Sequence, residues 1–132
     1  MAKRQKVEIN KDSFPTKEDV KLFDILFPML KSDSYEIREL SKKKQDEPLN
    51  KFKVKMINKK LEKIKVILRN EPTIEFLDLL DEETMPTNSD AVLQISQFIN
   101  AMDKFHGKFY ESGGGIDYGF DDIIEGGWKT ED

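Results

Sequence analysis

Hydrophobic positions along this chain recur with the spacing of helices, and no stretch shows the alternation of a strand. Thr16, followed three residues on by Asp19, forms a weak capping box. Val20, Leu22, Phe23, Ile25, Leu26, Phe27, Met29 and Leu30 come next. That run is apolar nearly all round, which predicts the most buried helix of the fold. Pro28 is expected to kink it or end it near Phe27, because the ring clashes with the carbonyl four residues back. A short second helix is predicted from Asp33 or Ser34 to Lys44, on a thin stripe of Tyr35, Ile37 and Leu40. "QDEP", residues 45–48, is a break, and Pro48 suits the first turn of the next helix.

The stretch "LNKFKVKMINKKLEKIKVILRNEP" predicts a third helix over 49–69, with Asn70 as a left-handed cap and Pro72 as the stop. On a helical wheel its apolar residues form two arcs. Leu49, Phe52, Met56 and Ile67 make one; Val54, Ile57, Leu61, Ile64 and Leu68 make the other. Lys53 and Lys60 lie between the arcs. Lys51, Lys55, Lys59, Lys65 and Arg69 share the outer face with Glu62 and, as an apolar exception, Val66. Two arcs require two neighbours, as in a bundle, and place Phe52 inward.

"TIEFLDLLD", residues 73–81, reads as a short amphipathic helix with Ile74, Phe76, Leu77 and Leu80 inward. A loop over 81–90 leads to Thr87, Asn88 or Ser89, any of which can cap a final long helix. Its apolar set, Ala91, Val92, Ile95, Phe98, Ile99, Met102, Phe105, Phe109 and Tyr110, falls in one arc of about 140°, the clearest amphipathic pattern in the chain. Ser112 and Gly113–Gly115 stop it. The pattern as a whole predicts an all-α fold, a compact bundle of four to five helices over 14–111. A polar arm, 1–13, precedes it, and an irregular, Gly-rich, acidic tail, 112–132, comes after it.

Composition narrows the chemistry. The 132 residues hold no cysteine, which removes disulfides, thiolate metal sites and cysteine nucleophiles and fits a reducing cytoplasm. The N-terminus has no apolar h-region, so no signal peptide is expected, and no run approaches a membrane span. Net charge is −4, but it is unevenly spread. Residues 37–69 carry 12 positive and 4 negative charges, whereas residues 70–132 carry 3 and 15. A basic middle before an acidic remainder predicts a charged partner or two parts that attract each other.

Candidate sites emerge from that asymmetry. Lys51, Lys55, Lys59 and Arg69 form a row able to neutralise phosphates. Only 2 of the 12 positive residues in 37–69 are arginine, and Phe52 is expected to point inward, so base stacking is not suggested. A lysine row on a bundle helix reads first as a solvated face. Tyr118, Phe120 and Trp128 are large side chains in a polar tail. They can dock on their own domain, on a protein partner or on a second subunit. His106 is the single histidine; with Asp103 three residues before it, it gives half of a carboxylate–histidine pair, and a partly buried structural histidine is the simpler reading. Glu75, Asp78 and Glu82 are expected on one solvated helix face. "SGGGIDYG" comes after a helix and leads into acids, the reverse of a phosphate-cradling loop.

The expected function is therefore a non-enzymatic protein–protein interaction module, or an oligomer or assembly subunit. It calls for no cofactor, metal, small-molecule substrate or membrane. The alternative is nucleic-acid binding by the lysine row, with the acidic tail as competitor. A metal-assisted hydrolase or ferritin-like site built on Asp103, His106 and acids such as Asp78 is the third.

Overall fold

Thr16 opens the first helix as its spacing predicts. The computed structural model describes residues 14–111 and 127–131. In it the Thr16 hydroxyl accepts from the Asp19 N–H at 3.0 Å, and the Asp19 carboxylate accepts from the Thr16 N–H at 3.0 Å, closing both halves of the capping box. Helix α1 then runs unbroken from Lys17 to Lys43.

Pro28 lies inside α1 and does not end it. The separate helix expected from Asp33 or Ser34 to Lys44 is the second half of the same element. A proline in a helix interior costs about 3 kcal/mol. Against that cost, Phe23, Leu26, Leu30 and Ile37 form one buried stripe that continues past it, each worth about 1.5–3 kcal/mol on burial. The stripe outweighs the proline. Pro28 and Asp24 are both exposed, so the carbonyl that loses its partner can accept from water. The expectation of burial nearly all round is also corrected: Ile25 and Met29 are exposed, as is Tyr35.

Helix α2, Lys51–Ile67, starts later than expected. Asn50 is its cap, its side-chain oxygen accepting from Phe52 N–H at 2.8 Å and Lys53 N–H at 3.2 Å. Pro48 stands outside the helix and bridges to Thr87. α2 closes on Leu68 at φ −92°, not on a left-handed Asn70. Residues 73–81 are not a helix of that length. A 3-10 helix covers Pro72–Phe76 and the chain then extends, burying Leu77 and Leu80 while Phe76 faces water.

Helix α3, Asn88–Phe109, is capped by Thr87, whose hydroxyl accepts from Asp90 N–H at 3.1 Å. Its buried face, Ala91, Ile95, Phe98, Met102, Phe105 and Phe109, is the arc the period predicts. The described residues thus hold three α-helices and one 3-10 helix where four to five helices were expected. α1 packs on both α2 and α3, and a single core runs among them. Among the described residues no helix is long and apolar enough to cross a membrane.

The tail is not irregular throughout. β1, Tyr110–Glu111, pairs antiparallel with β2, Gly127–Trp128, with Tyr110 opposite Trp128. Lys129 N–H then donates to the Phe109 carbonyl at 2.7 Å, and Glu131 N–H to the Pro15 carbonyl at 3.0 Å. A two-residue strand is too short to leave an alternating pattern in sequence. The arm 1–13 and residues 112–126, including all of "SGGGIDYG" and both Tyr118 and Phe120, lie outside the described residues.

Candidate interaction face on the first two helices

Three ion pairs hold α2 antiparallel against α1. Arg69 forks onto Asp19, each guanidinium nitrogen donating to one carboxylate oxygen at 3.1 Å. Lys60 reaches Asp33 at 2.7 Å, and Lys53 reaches Glu36 at 2.9 Å. The basic block is therefore matched in part by acids of α1, close by in the fold, and not only by the acidic remainder of the chain. The Arg69 pKa is raised by its hydrogen bond to Asp19, against the opposing effect of burial, with the charges of Asp19 and Glu131 adding to the rise.

These pairs divide the predicted lysine row. Lys51, Lys55 and Lys59 are exposed and have no acidic partner among the described residues, whereas Arg69 is committed to Asp19. Lys63, which the row did not include, is exposed and equally unpaired. The four predicted positions are thus three solvated lysines and one structural arginine.

Phe52 corrects the wheel. It is 69% exposed, and Met56 one turn on is 41% exposed. Of the arc that contains them, only the ends, Leu49 and Ile67, are buried. Across the seam on α1, Ile25 is 58% exposed and Met29 45%. Two adjoining depressions connect Phe52, Met56 and Met29, and Ile25 lies outside both. One, of about 260 Å³, is lined by Phe52, Met56, Ile37 and the Asp33, Glu36, Lys53 and Lys60 ion pairs. The other, of about 230 Å³, is lined by Met29, Met56, Leu26, Lys59, Lys60 and Lys63. Met56 and Lys60 belong to both. The result is a continuous apolar groove along the α1–α2 seam with lysines on its α2 rim. The sequence signal for it was the arc of Leu49, Phe52, Met56 and Ile67, whose two middle members the core does not cover.

The other candidates are placed elsewhere. Trp128 packs on its own fold, its ring 4.9 Å from Phe23, 5.1 Å from His106 and 5.6 Å from Tyr110. His106 stacks on Tyr110 at 4.4 Å and is half-buried by these rings. Asp103 is exposed, and among the described residues no three His, Asp or Glu side chains converge to hold a metal. Glu75, Asp78 and Glu82 do not share a helix face. Glu82 instead accepts from the Asn58 side-chain nitrogen at 3.0 Å. Asn58, buried in the middle of α2, leaves no signal in the sequence because its partner is 22 residues away. Comparison of the chain with protein-family models, curated proteins and solved structures returns no match in any of the three.

Proposed function

We propose that this protein is a non-enzymatic helical interaction module that binds another protein through the α1–α2 face. One observation carries the reading: Phe52, Met56 and Met29 are exposed apolar side chains lining one groove, and an isolated domain gains nothing from leaving three such side chains in water. The packing of His106 among Tyr110, Phe23 and Trp128 supports a structural part for the single histidine and so favours a binding function. A cysteine-free chain suits the cytoplasm, and we place its work there.

The test is site-specific photo-crosslinking of the full chain in its source cells, with a benzophenone amino acid in place of Met56 or, as a control, of exposed Lys42. A discrete adduct from position 56 and none from 42 supports the reading. No discrete adduct from 56, or the same adducts from both, overturns it.

Nucleic-acid binding is the second reading. It is favoured by Phe52 standing exposed beside Lys51 and Lys55, which have no acidic partner among the described residues, a stacking ring among phosphate-binding charges. Binding of an oligonucleotide that falls steeply with added salt, and falls again in Phe52→Ala, is its test.

A further inference from the structure

We infer that the occupant of the α1–α2 groove is an acidic amphipathic helix presented by a different protein. The inference rests on the interaction-module reading and names the partner's chemistry.

The groove has the shape for a helix. Phe52 and Met56 are one turn apart on α2, and Met29 follows along the seam on α1. In the register set by the Lys53–Glu36 and Lys60–Asp33 pairs, Met29 lies roughly 12 Å along the seam from Phe52 at about 1.5 Å per residue. The apolar face of a helix of about 14 residues covers that span. Charge selects its type. Lys53, Lys59, Lys60 and Lys63 line the two depressions. The acids there, Asp33 and Glu36, are already used by Lys60 and Lys53. Among the described residues Lys59 and Lys63 have no acidic partner on the α2 rim, with Lys55 one turn before Lys59. An apolar floor with a lysine rim is complementary to an apolar stripe flanked by carboxylates.

The same charges disfavour the other occupants. A second copy docked face to face sets lysine rim against lysine rim. A nucleic acid gains from the lysines but leaves Met29 and Met56 unmatched, and it meets Asp33 and Glu36 on the groove wall.

The experiment is fluorescence anisotropy with the full chain and three labelled probes. These are a designed peptide of about 14 residues with Leu and Phe on one helical face and Glu on the flanks, a peptide of the same composition in shuffled order, and a single-stranded DNA of matching length. Two variants accompany the wild type: Phe52→Ser/Met56→Ser and Lys59→Glu/Lys63→Glu. All four positions are exposed, and circular dichroism checks that each variant keeps its helices. The expected result is binding of the patterned peptide at least about tenfold tighter than either other probe, with a loss of about tenfold or more in each variant. Equal binding of the shuffled peptide or the DNA overturns the inference, because charge alone then explains it. So does a wild-type dimer that Phe52→Asp dissociates, which makes the occupant a second copy. Binding that emerges only after Asp117, Asp121, Asp122 and Glu125 are changed to Asn and Gln also overturns it, and makes the occupant this chain's own acidic segment. Failure of every peptide, together with a crosslinked partner at position 56, rejects the acidic helix and leaves the module reading standing. Failure of both rejects both.

Discussion

Asn58 holds Leu80 by both of its backbone polar groups. The Asn58 side-chain nitrogen donates to the Leu80 carbonyl at 2.8 Å, and its oxygen accepts from the Leu80 N–H at 2.9 Å. A single amide thus does for the extended chain after the 3-10 helix what a neighbouring strand would do, at a place sealed from water. Asn58→Ala leaves both Leu80 groups buried and unpaired, and we expect a loss of about 2–4 kcal/mol in urea unfolding. Asn58→Asp keeps the acceptor, loses the donor and sets a carboxylate beside Glu82, so it is expected to be no better. A loss below about 0.5 kcal/mol in Asn58→Ala, the range of ordinary surface changes, would mean that Leu80 finds other partners.

That contact also marks where the sequence stops being readable. Thr16, Thr87 and the α3 stripe were legible because caps and helical period are local. Pro28 misled because its cost is local while the stripe that overrides it, Phe23 to Ile37, gains its energy from α2 and α3. Residues 73–81 misled because Asn58, far away in sequence, satisfies the backbone that a helix would otherwise have satisfied. Phe52 misled for a different reason. A wheel shows that an arc is apolar, not whether the fold supplies a neighbour to cover it.

Trp128 gives the tail its anchor. It is the only tryptophan, so its fluorescence reports the packing of β2 on Phe23, His106 and Tyr110 directly. Trp128→Ala removes a half-buried ring and is expected to cost about 2–3 kcal/mol, below the value for a fully buried tryptophan. In the wild type, tryptophan emission and helical circular dichroism should lose native signal at the same urea concentration. An emission change well before the helices melt would show β2 leaving the fold on its own. Deleting residues 112–132 is for the same reason a poor test of the acidic segment, since it removes this anchor as well.

Pro28 is a place to gain stability. It is exposed, so Pro28→Ala loses little packing and restores a donor to the Asp24 carbonyl. The expected gain is about 1–3 kcal/mol, seen as a higher melting temperature. A loss of stability would show that the proline shapes α1 for its fit against α3.

Asp81 carries the acid-side prediction. Its carboxylate accepts from Thr84 N–H at 3.1 Å and Glu83 N–H at 2.8 Å, and these bonds, Thr84 first, hold its pKa below the usual aspartate value. A depressed pKa means the stabilisation is present at neutral pH and is lost as pH falls through the folded value. The stability difference between wild type and Asp81→Asn should therefore shrink as the solution is acidified from neutral into the aspartate range. The group is fully exposed, so the difference is small and needs urea midpoints at several pH values. A difference that stays constant across the acid range would rule out the hydrogen-bonded carboxylate as its source.

Arg69 supports α1 and α2 at once, because the Asp19 it grips is also the residue that closes the capping box on Thr16. Asp19 is buried, so removing its partner leaves a poorly solvated carboxylate at the start of α1. Full loss of a buried partner costs about 3–5 kcal/mol. The Arg69 side chain is 42% exposed, and solvent screens part of that, so Arg69→Gln is expected to cost about 1–3 kcal/mol. Arg69→Lys should recover only part of it, since an ammonium cannot fork onto both carboxylate oxygens. The pH signature is distinctive. A raised arginine pKa means the pairing is intact below the ordinary arginine range and fails only far into alkali. The difference between wild type and Arg69→Gln should thus stay flat from neutral to mildly alkaline pH in urea titrations. A difference that collapses in that window would assign the stabilisation to some other titrating group and remove Arg69 from the seam's energetics.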